Sequence, residues 1–153
     1  MPIVRGCHLP DHLLYDVENH TWYQEREDGT IRIGMTAVAT ALAGELVAFT
    51  PKKIGRSVKA GKSCATIESG KWVGPARVAL DGEIVAVNET LIGEPNRANR
   101  DPYEGGWMVE IKTENWEDSK NNLVIGSEVA TSYETKMEAD SFEGCDTDLV
   151  KVK

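Results

Sequence analysis

Gly44-Glu45-Leu46-Val47-Ala48-Phe49 returns 38 residues later as Gly82-Glu83-Ile84-Val85-Ala86-Val87, and Ile54-Gly55 returns at the same offset as Ile92-Gly93. Six of the twelve positions from 44 to 55 are identical to their counterparts. Each copy opens on a glycine and an acid and runs into apolar residues, which reads as a turn leading into a strand. The repeat predicts two similar β halves related by a pseudo-two-fold, with their sheets closing on each other.

Outside the repeat the same signals continue. Ile31-Arg32-Ile33, Ala65-Thr66-Ile67, Val78-Ala79-Leu80 and Met108-Val109-Glu110-Ile111 are short and apolar, and Gly, Pro, Asn or Asp separates them. Many short strands with regular turns predict a mostly β sandwich or barrel rather than a parallel βαβ sheet. Two stretches read as helices. Residues 36–43 follow a Thr36 cap and stop at Gly44, just before the first repeat. Residues 127–137 carry Val129, Tyr133 and Met137 as one apolar stripe opening on Ser127. Residues 138–148 are acidic and read as a frayed tail.

The chain has 153 residues, 41% of them hydrophobic, enough for one domain that needs no metal or disulfide staple. Its net charge of −8 argues against a nucleic-acid or anionic-membrane partner. No apolar run approaches the roughly 20 residues of a membrane span. The first residues lack the pattern of a secretory signal, so a cytoplasmic monomer is expected. Cys7, Cys64 and Cys145 are odd in number and far apart, which argues against a disulfide framework and against a CxxC motif. Cys64 reads as a small buried residue, while Cys7 and Cys145 read as exposed. His8, His12 and His20 have no zinc-motif spacing, and no metal site is expected.

Between the two copies lies Thr66-Ile67-Glu68-Ser69-Gly70-Lys71-Trp72-Val73-Gly74. A strand ends at Glu68, and Ser69-Gly70 supplies a turn in which glycine accepts positive φ. Lys71 is thereby pushed into solvent. Trp72 follows it, an aromatic that a merely solvated turn does not need. No Ser-His-Asp, Cys-His or paired-carboxylate constellation is visible around this turn, so the chain is expected not to be an enzyme by itself.

The sequence resembles the H-protein type of lipoyl carrier, best known from the glycine cleavage system. The resemblance runs over residues 15–112. It rests on His20-Thr21-Trp22, Asp28-Gly29-Thr30, Ile33-Gly34-Met35-Thr36, Val58-Lys59-Ala60-Gly61, Ile67-Glu68-Ser69-Gly70-Lys71, Gly82–Asn88-Glu89 and Asp101-Pro102-Tyr103-Glu104-Gly105-Gly106-Trp107. It implies a barrel-sandwich hybrid with a short helix before the repeat and a C-terminal helix. Residues 1–14 then form an N-terminal extension, 15–112 the lipoyl domain, and 113–153 a C-terminal helix and acidic tail. It also implies lipoate in amide linkage to Lys71, with Glu68, Ser69, Gly70 and Trp72 presenting the arm. Asn88-Glu89 and the Asp-Pro-Tyr element would be scaffold.

Departures from that pattern bear on the cargo. Glycine cleavage carriers resemble this chain but read His-Glu-Trp where it has His20-Thr21-Trp22, and carry an acid four residues after the lysine where it has Pro75. Those acids would hold a cationic aminomethyl group by charge-assisted hydrogen bonds. Their loss predicts an uncharged or anionic cargo. Residues 49–58 and 68–75 are more similar to lipoate-binding proteins of heterodisulfide-reductase-like sulfur oxidation. That resemblance implies thiol-bound sulfur as cargo. Its implied partners are a lipoate ligase or other lipoylation enzymes, a heterodisulfide-reductase-like complex and a dihydrolipoamide-dehydrogenase-type oxidoreductase. The alternatives are the glycine cleavage H protein itself and an unmodified H-like binding or scaffold protein. Gly70-Lys71-Trp72 does not match the Met-Lys-Met of biotin carriers. Lys52, Lys53, Arg56, Lys59 and Lys62 form a basic run, read either as a solvated loop or as a docking patch near the arm.

Overall fold

The computed structural model describes residues 3–145. Its elements in order are β1 (Ile3–Val4), β2 (Cys7–His8), β3 (Leu14–Asp16), β4 (Thr21–Glu25), β5 (Ile31–Met35), α1 (Ala37–Ala43), β6 (Leu46–Pro51), β7 (Ser57–Val58), β8 (Ser63–Ser69), β9 (Val73–Arg77), β10 (Gly82–Val87), α2 (Glu89–Gly93), α3 (Arg97–Arg100), β11 (Val109–Lys112), α4 (Trp116–Ser119), β12 (Val124–Ile125) and α5 (Val129–Ala139). The strands form a seven-stranded sheet ordered β12-β3-β4-β5-β11-β10-β7, a three-stranded sheet ordered β6-β8-β9, and a β1-β2 ribbon. All pairings are antiparallel. The mostly β, two-sheet expectation holds. Neither sheet closes into a barrel among the described residues.

The two repeat copies fall in different sheets, β6 in the small one and β10 in the large one. Each carries a register shift at the equivalent place, between Leu46 and Ala48 in β6 and between Ile84 and Ala86 in β10. A bulge turns the strand by one residue. That is why Leu46 and Phe49, three apart, are both buried in β6, where an unbroken strand would bury every second residue. The main core lies between the sheets. Ile31, Ile33, Ile84, Val109 and Ile111 come from one side, and Leu46, Phe49, Cys64 and Ile67 from the other.

Residues 78–80, predicted as a strand, are not one. The strand is β9, just before them, and Pro75 sits within it. Proline is tolerated because β9 is an edge strand. Val78 and Leu80 are nonetheless fully buried, as core plugs on the connection to β10.

A second core joins the two ends of the chain. Val4, Cys7, Leu9, Leu13, Tyr15, Trp22 and Val38 pack with Val129, Tyr133 and Met137. The predicted stripe is therefore the buried face of α5. Ser127 does not cap it. The helix starts at Val129 after Glu128, with no side-chain cap bond. The frayed-tail reading also fails as far as residue 145. Glu138 pairs with Arg5 at 2.9 Å, Phe142 packs on the second core, and Cys145 is disulfide-bonded to Cys7. Cys7 and Cys145 read from the sequence as unpaired and exposed. They are paired because the ends of the chain meet, which a sequence separation of 138 conceals. Residues 146–148 of that tail lie outside the described residues.

Thr36 does cap α1, its hydroxyl accepting from the Ala39 N–H at 3.2 Å. Asn88 ends β10 and caps the short helix α2, and its amide donates to the Gly105 and Trp107 carbonyls. The Tyr103 hydroxyl accepts from the Ala37 N–H and donates to the His8 carbonyl, tying the Asp-Pro-Tyr loop to α1 and β2 beside the second core.

Candidate functional site

Lys71 lies at the tip of the β8–β9 hairpin. The ladder pairs Ile67 with Gly74 and Glu68 with Val73. The Ser69 N–H then donates to the Trp72 carbonyl at 2.7 Å, and the Lys71 N–H donates to Ser69 Oγ at 3.3 Å. Ser69 is buried, so its hydroxyl is a fixed anchor for an exposed tip. Gly70 was expected to supply positive φ. It does not adopt it, and a Cβ there would meet open space. The Ser69 hydroxyl, not the conformational freedom of Gly70, closes the turn.

Trp72 is 43% exposed. Its indole lies back on Gly74, where a Cβ would collide with Cζ2 of the ring. Lys71 folds its stem over Gly44, the positive-φ residue that ends α1. A Cβ on Gly44 would lie 3.2 Å from Lys71 Cε. No carboxylate of the described residues pairs with the Lys71 ammonium.

Beside the hairpin is an open cleft of about 490 Å3. Met35, Ala43, Ile67 and Ala76 form its floor, and Ala39 and Leu42 of α1 one wall. Lys71, Trp72 and Pro75 line the hairpin side, and Glu18, Asn19, His20 and Thr21 make a polar end. Thr21 and Pro75, the two positions where the carrier pattern has acids, thus face one cleft. Thr21 is buried, and its hydroxyl meets the Tyr23 hydroxyl at 2.8 Å. The Tyr23 hydroxyl also accepts from the Ala79 N–H.

Sequence reading missed Glu18, a carboxylate at this cleft. It is bound to Lys136 Nζ of α5 at 3.0 Å, and that hydrogen bond raises the lysine's pKa. It also missed the role of His20 in the site. His20 has φ of 57°, a left-handed backbone uncommon outside glycine. Its ring stacks on Tyr133 and its Nδ1 lies 3.0 Å from the Tyr133 hydroxyl. Burial, and secondarily the charge of Lys136, lower its pKa.

Other expected residues lie elsewhere. Glu68 is exposed on β8 and does not line the cleft. The basic run, which the sequence offers as a solvated loop or as a docking patch near the arm, lies toward the other end of β8. Lys52 and Lys53 follow β6 where Pro51 pairs with Ala65, and Lys59 and Lys62 precede β8, whereas Lys71 follows its other end. Seven residues of β8 separate them, on the order of 20 Å at the usual strand rise. Among the described residues no group of three His, Cys, Asp or Glu could hold a metal. Burial pushes the Cys64 thiol up to about 12, so it is inert as a thiolate.

An unpaired amine on a fixed turn, next to an open and largely apolar cleft, suits a lysine that is acylated by a long arm. The family model for the glycine cleavage H-protein matches residues 13–136. The chain belongs to that family. It is 52% identical over 134 residues to glycine cleavage system H protein 5 of Aquifex aeolicus, covering 85% of this chain and 90% of that one. It is 41% identical over 129 residues to the probable glycine cleavage system H protein 2 of Sulfurisphaera tokodaii, covering 83% and 86%. A crystal structure of the H protein from Mycobacterium marinum superposes with a TM-score of 0.71 at 30% identity, covering 82% of this chain and 98% of that one. Aquifex aeolicus also has relatives named H protein 2 and H protein 3, at 40% and 44% identity.

Proposed function

We propose that this H-family protein is a lipoyl carrier whose Lys71 bears the arm and whose cargo is sulfur held on the arm's thiols. The observation that carries the carrier reading is the exposed Lys71 tip, fixed by Ser69 and set beside the cleft. Bound there, lipoate supplies a dithiolane whose sulfurs exchange with thiolates of partner enzymes. The chain's own residues do the rest. Ser69 holds the tip, Trp72 on its Gly74 seat offers an apolar surface to the arm, and the α1 wall screens one side from water. The chain acts as an arm for other active sites and not as a catalyst. Lipoylation enzymes, a heterodisulfide-reductase-like complex and a dihydrolipoamide-dehydrogenase-type oxidoreductase are the partners this reading names, in the cytoplasm.

The cargo reading is supported by the cleft. An aminomethyl ammonium placed there would meet Thr21 and Pro75 rather than two acids, and Glu18 is already engaged by Lys136. Each missing charge-assisted bond costs about 1.5–3 kcal/mol. Several H-like chains in one organism are also compatible with carriers that divide cargoes. The names of the relatives favour the second reading, the glycine cleavage carrier. Supplying the lipoylated protein to glycine decarboxylase and aminomethyltransferase separates the two. Turnover at least tenfold below that of an acid-bearing carrier is expected. Equal turnover would establish the second reading and reject the first.

A further inference from the structure

The polar end of the cleft holds a hydrogen-bond donor whose orientation is fixed from behind. The Tyr133 hydroxyl has two neighbours, His20 Nδ1 at 3.0 Å and Thr36 Oγ1 at 3.4 Å. An imidazole nitrogen is the better acceptor and the closer one, and in the tautomer that uses it Tyr133 donates to Nδ1 and Thr36 donates to Tyr133. A neutral imidazole that accepts at Nδ1 carries its proton on Nε2. If the ring is protonated, Nε2 carries a proton as well. In both charge states Nε2–H is a donor.

That donor is available. Tyr133 is fully buried behind the ring, and His20 lines the cleft in front of it. Among the described residues Nε2 has no hydrogen-bond partner, and no unpartnered side-chain nitrogen is buried, so Nε2 is accessible on a residue that lines the cleft. The other donors there are engaged. Thr21 is held by Tyr23, the Asn19 amide donates to Asp16, and Lys136 is bound by both Glu18 and Asp140. Lys71 loses its charge once acylated. The left-handed backbone at His20 is where strain is tolerated when the placement of a side chain matters.

We propose that His20 Nε2–H is the residue that selects an anionic group on the arm, holding it at the polar end of the cleft, with Tyr133 and Thr36 as positioning residues behind it. This rests on the carrier reading above and specifies the charge of the cargo.

The test uses the full chain, lipoylated on Lys71 and reduced, with three stable stand-ins for cargo. Iodoacetate gives an anionic carboxymethyl arm, iodoacetamide a neutral carbamoylmethyl arm, and bromoethylamine a cationic aminoethyl arm. Peptide mass verifies that alkylation is confined to the arm. Docking is read from the imidazole 15N resonances of His20 and from Trp72 emission. The carboxymethyl arm is expected to shift the Nε2 resonance and to dock at least about tenfold better than the aminoethyl arm, the usual effect of one charge-assisted bond. Two variants then separate donor from scaffold. His20→Gln places an amide near the position of Nε2 and is expected to keep this preference. His20→Asn suits a left-handed backbone and places its amide near Nδ1, keeping Tyr133 but losing the cleft donor, so the preference is expected to vanish. Equal docking of the three arms, or a preference that survives in His20→Asn and is lost in His20→Gln, would overturn the proposal. The wild-type measurements decide even where a variant does not fold. Failure of Lys71 to take up lipoate would instead remove the carrier reading and this inference with it.

Discussion

Ser69 and Gly74 show how single residues set the hairpin tip. Ser69 binds the Lys71 N–H, and Gly74 leaves room for the Trp72 ring. A side chain at position 74 cannot coexist with that ring. Gly74→Val is expected to keep the fold, because β9 is an edge strand and valine suits it, while driving the indole into solvent. Collisional quenching of tryptophan emission checks this. Trp22 and Trp116 are buried and Trp107 is partly buried beneath Arg32, so a change on substitution at position 74 belongs to Trp72. Quenching unchanged from wild type would show that the ring does not need this seat. At this scale the sequence was informative about Lys71, whose Ser-Gly-Lys-Trp context marks a displayed lysine. It was misleading about Gly70, because composition shows that a turn exists and not which residue closes it. The role of His20 stayed hidden because Tyr133, which its ring meets, is 113 positions away, and Thr36, which meets Tyr133 in turn, is 97 positions from that tyrosine.

Element boundaries followed from pattern where one period governed and failed where two met. The α5 stripe of Val129, Tyr133 and Met137 was legible because a helix repeats every 3.6 residues and all three are buried. The strand at Val73–Arg77 was not, since glycine and proline break its pattern and the apolar residues come just after it. Leu46 and Phe49 needed the bulge to be understood. Docking of α5 has a pH signature. Its Tyr133 stacks on His20, whose pKa in the fold is lowered from 6.5 by burial and then by Lys136, against the opposing pull of Asp140, Asp16 and Glu18. The unfolded chain therefore binds more protons than the fold once the pH drops through about 6.5. This contribution to stability is complete above the unfolded pKa and is lost as pH falls toward the folded one. Denaturant unfolding between pH 7.5 and 5 is expected to show stability falling with acid, and His20→Asn is expected to flatten that slope. A slope identical in the variant would contradict the assignment to His20.

Across the whole molecule, the repeat made the two-sheet core legible, whereas the joining of the ends was not, because nothing local in Cys7 or Cys145 signals their meeting. The cleft was equally invisible, being assembled from the β3–β4 turn, β5, α1 and the β8–β9 hairpin. The Cys7–Cys145 bond closes a loop with a sequence separation of 138, for which chain entropy gives about 5 kcal/mol of stabilisation. Reduction, or Cys145→Ser, is expected to lower Tm by on the order of 10 °C, with Lys71 still displayed because its hairpin belongs to the other core. An unchanged Tm in reductant would mean that the bond does not hold the ends together. The central claim is that the molecule exists to display an arm on Lys71, and the most direct test is mass. The full chain is treated with lipoate ligase, lipoate and ATP, then digested and mapped beside Lys71→Arg, which keeps the charge but lacks the acylatable amine. One lipoyl group on the peptide containing Lys71, and none anywhere on the variant, is the expected result. A lipoyl group on another lysine, or none on a folded wild-type chain, would contradict it.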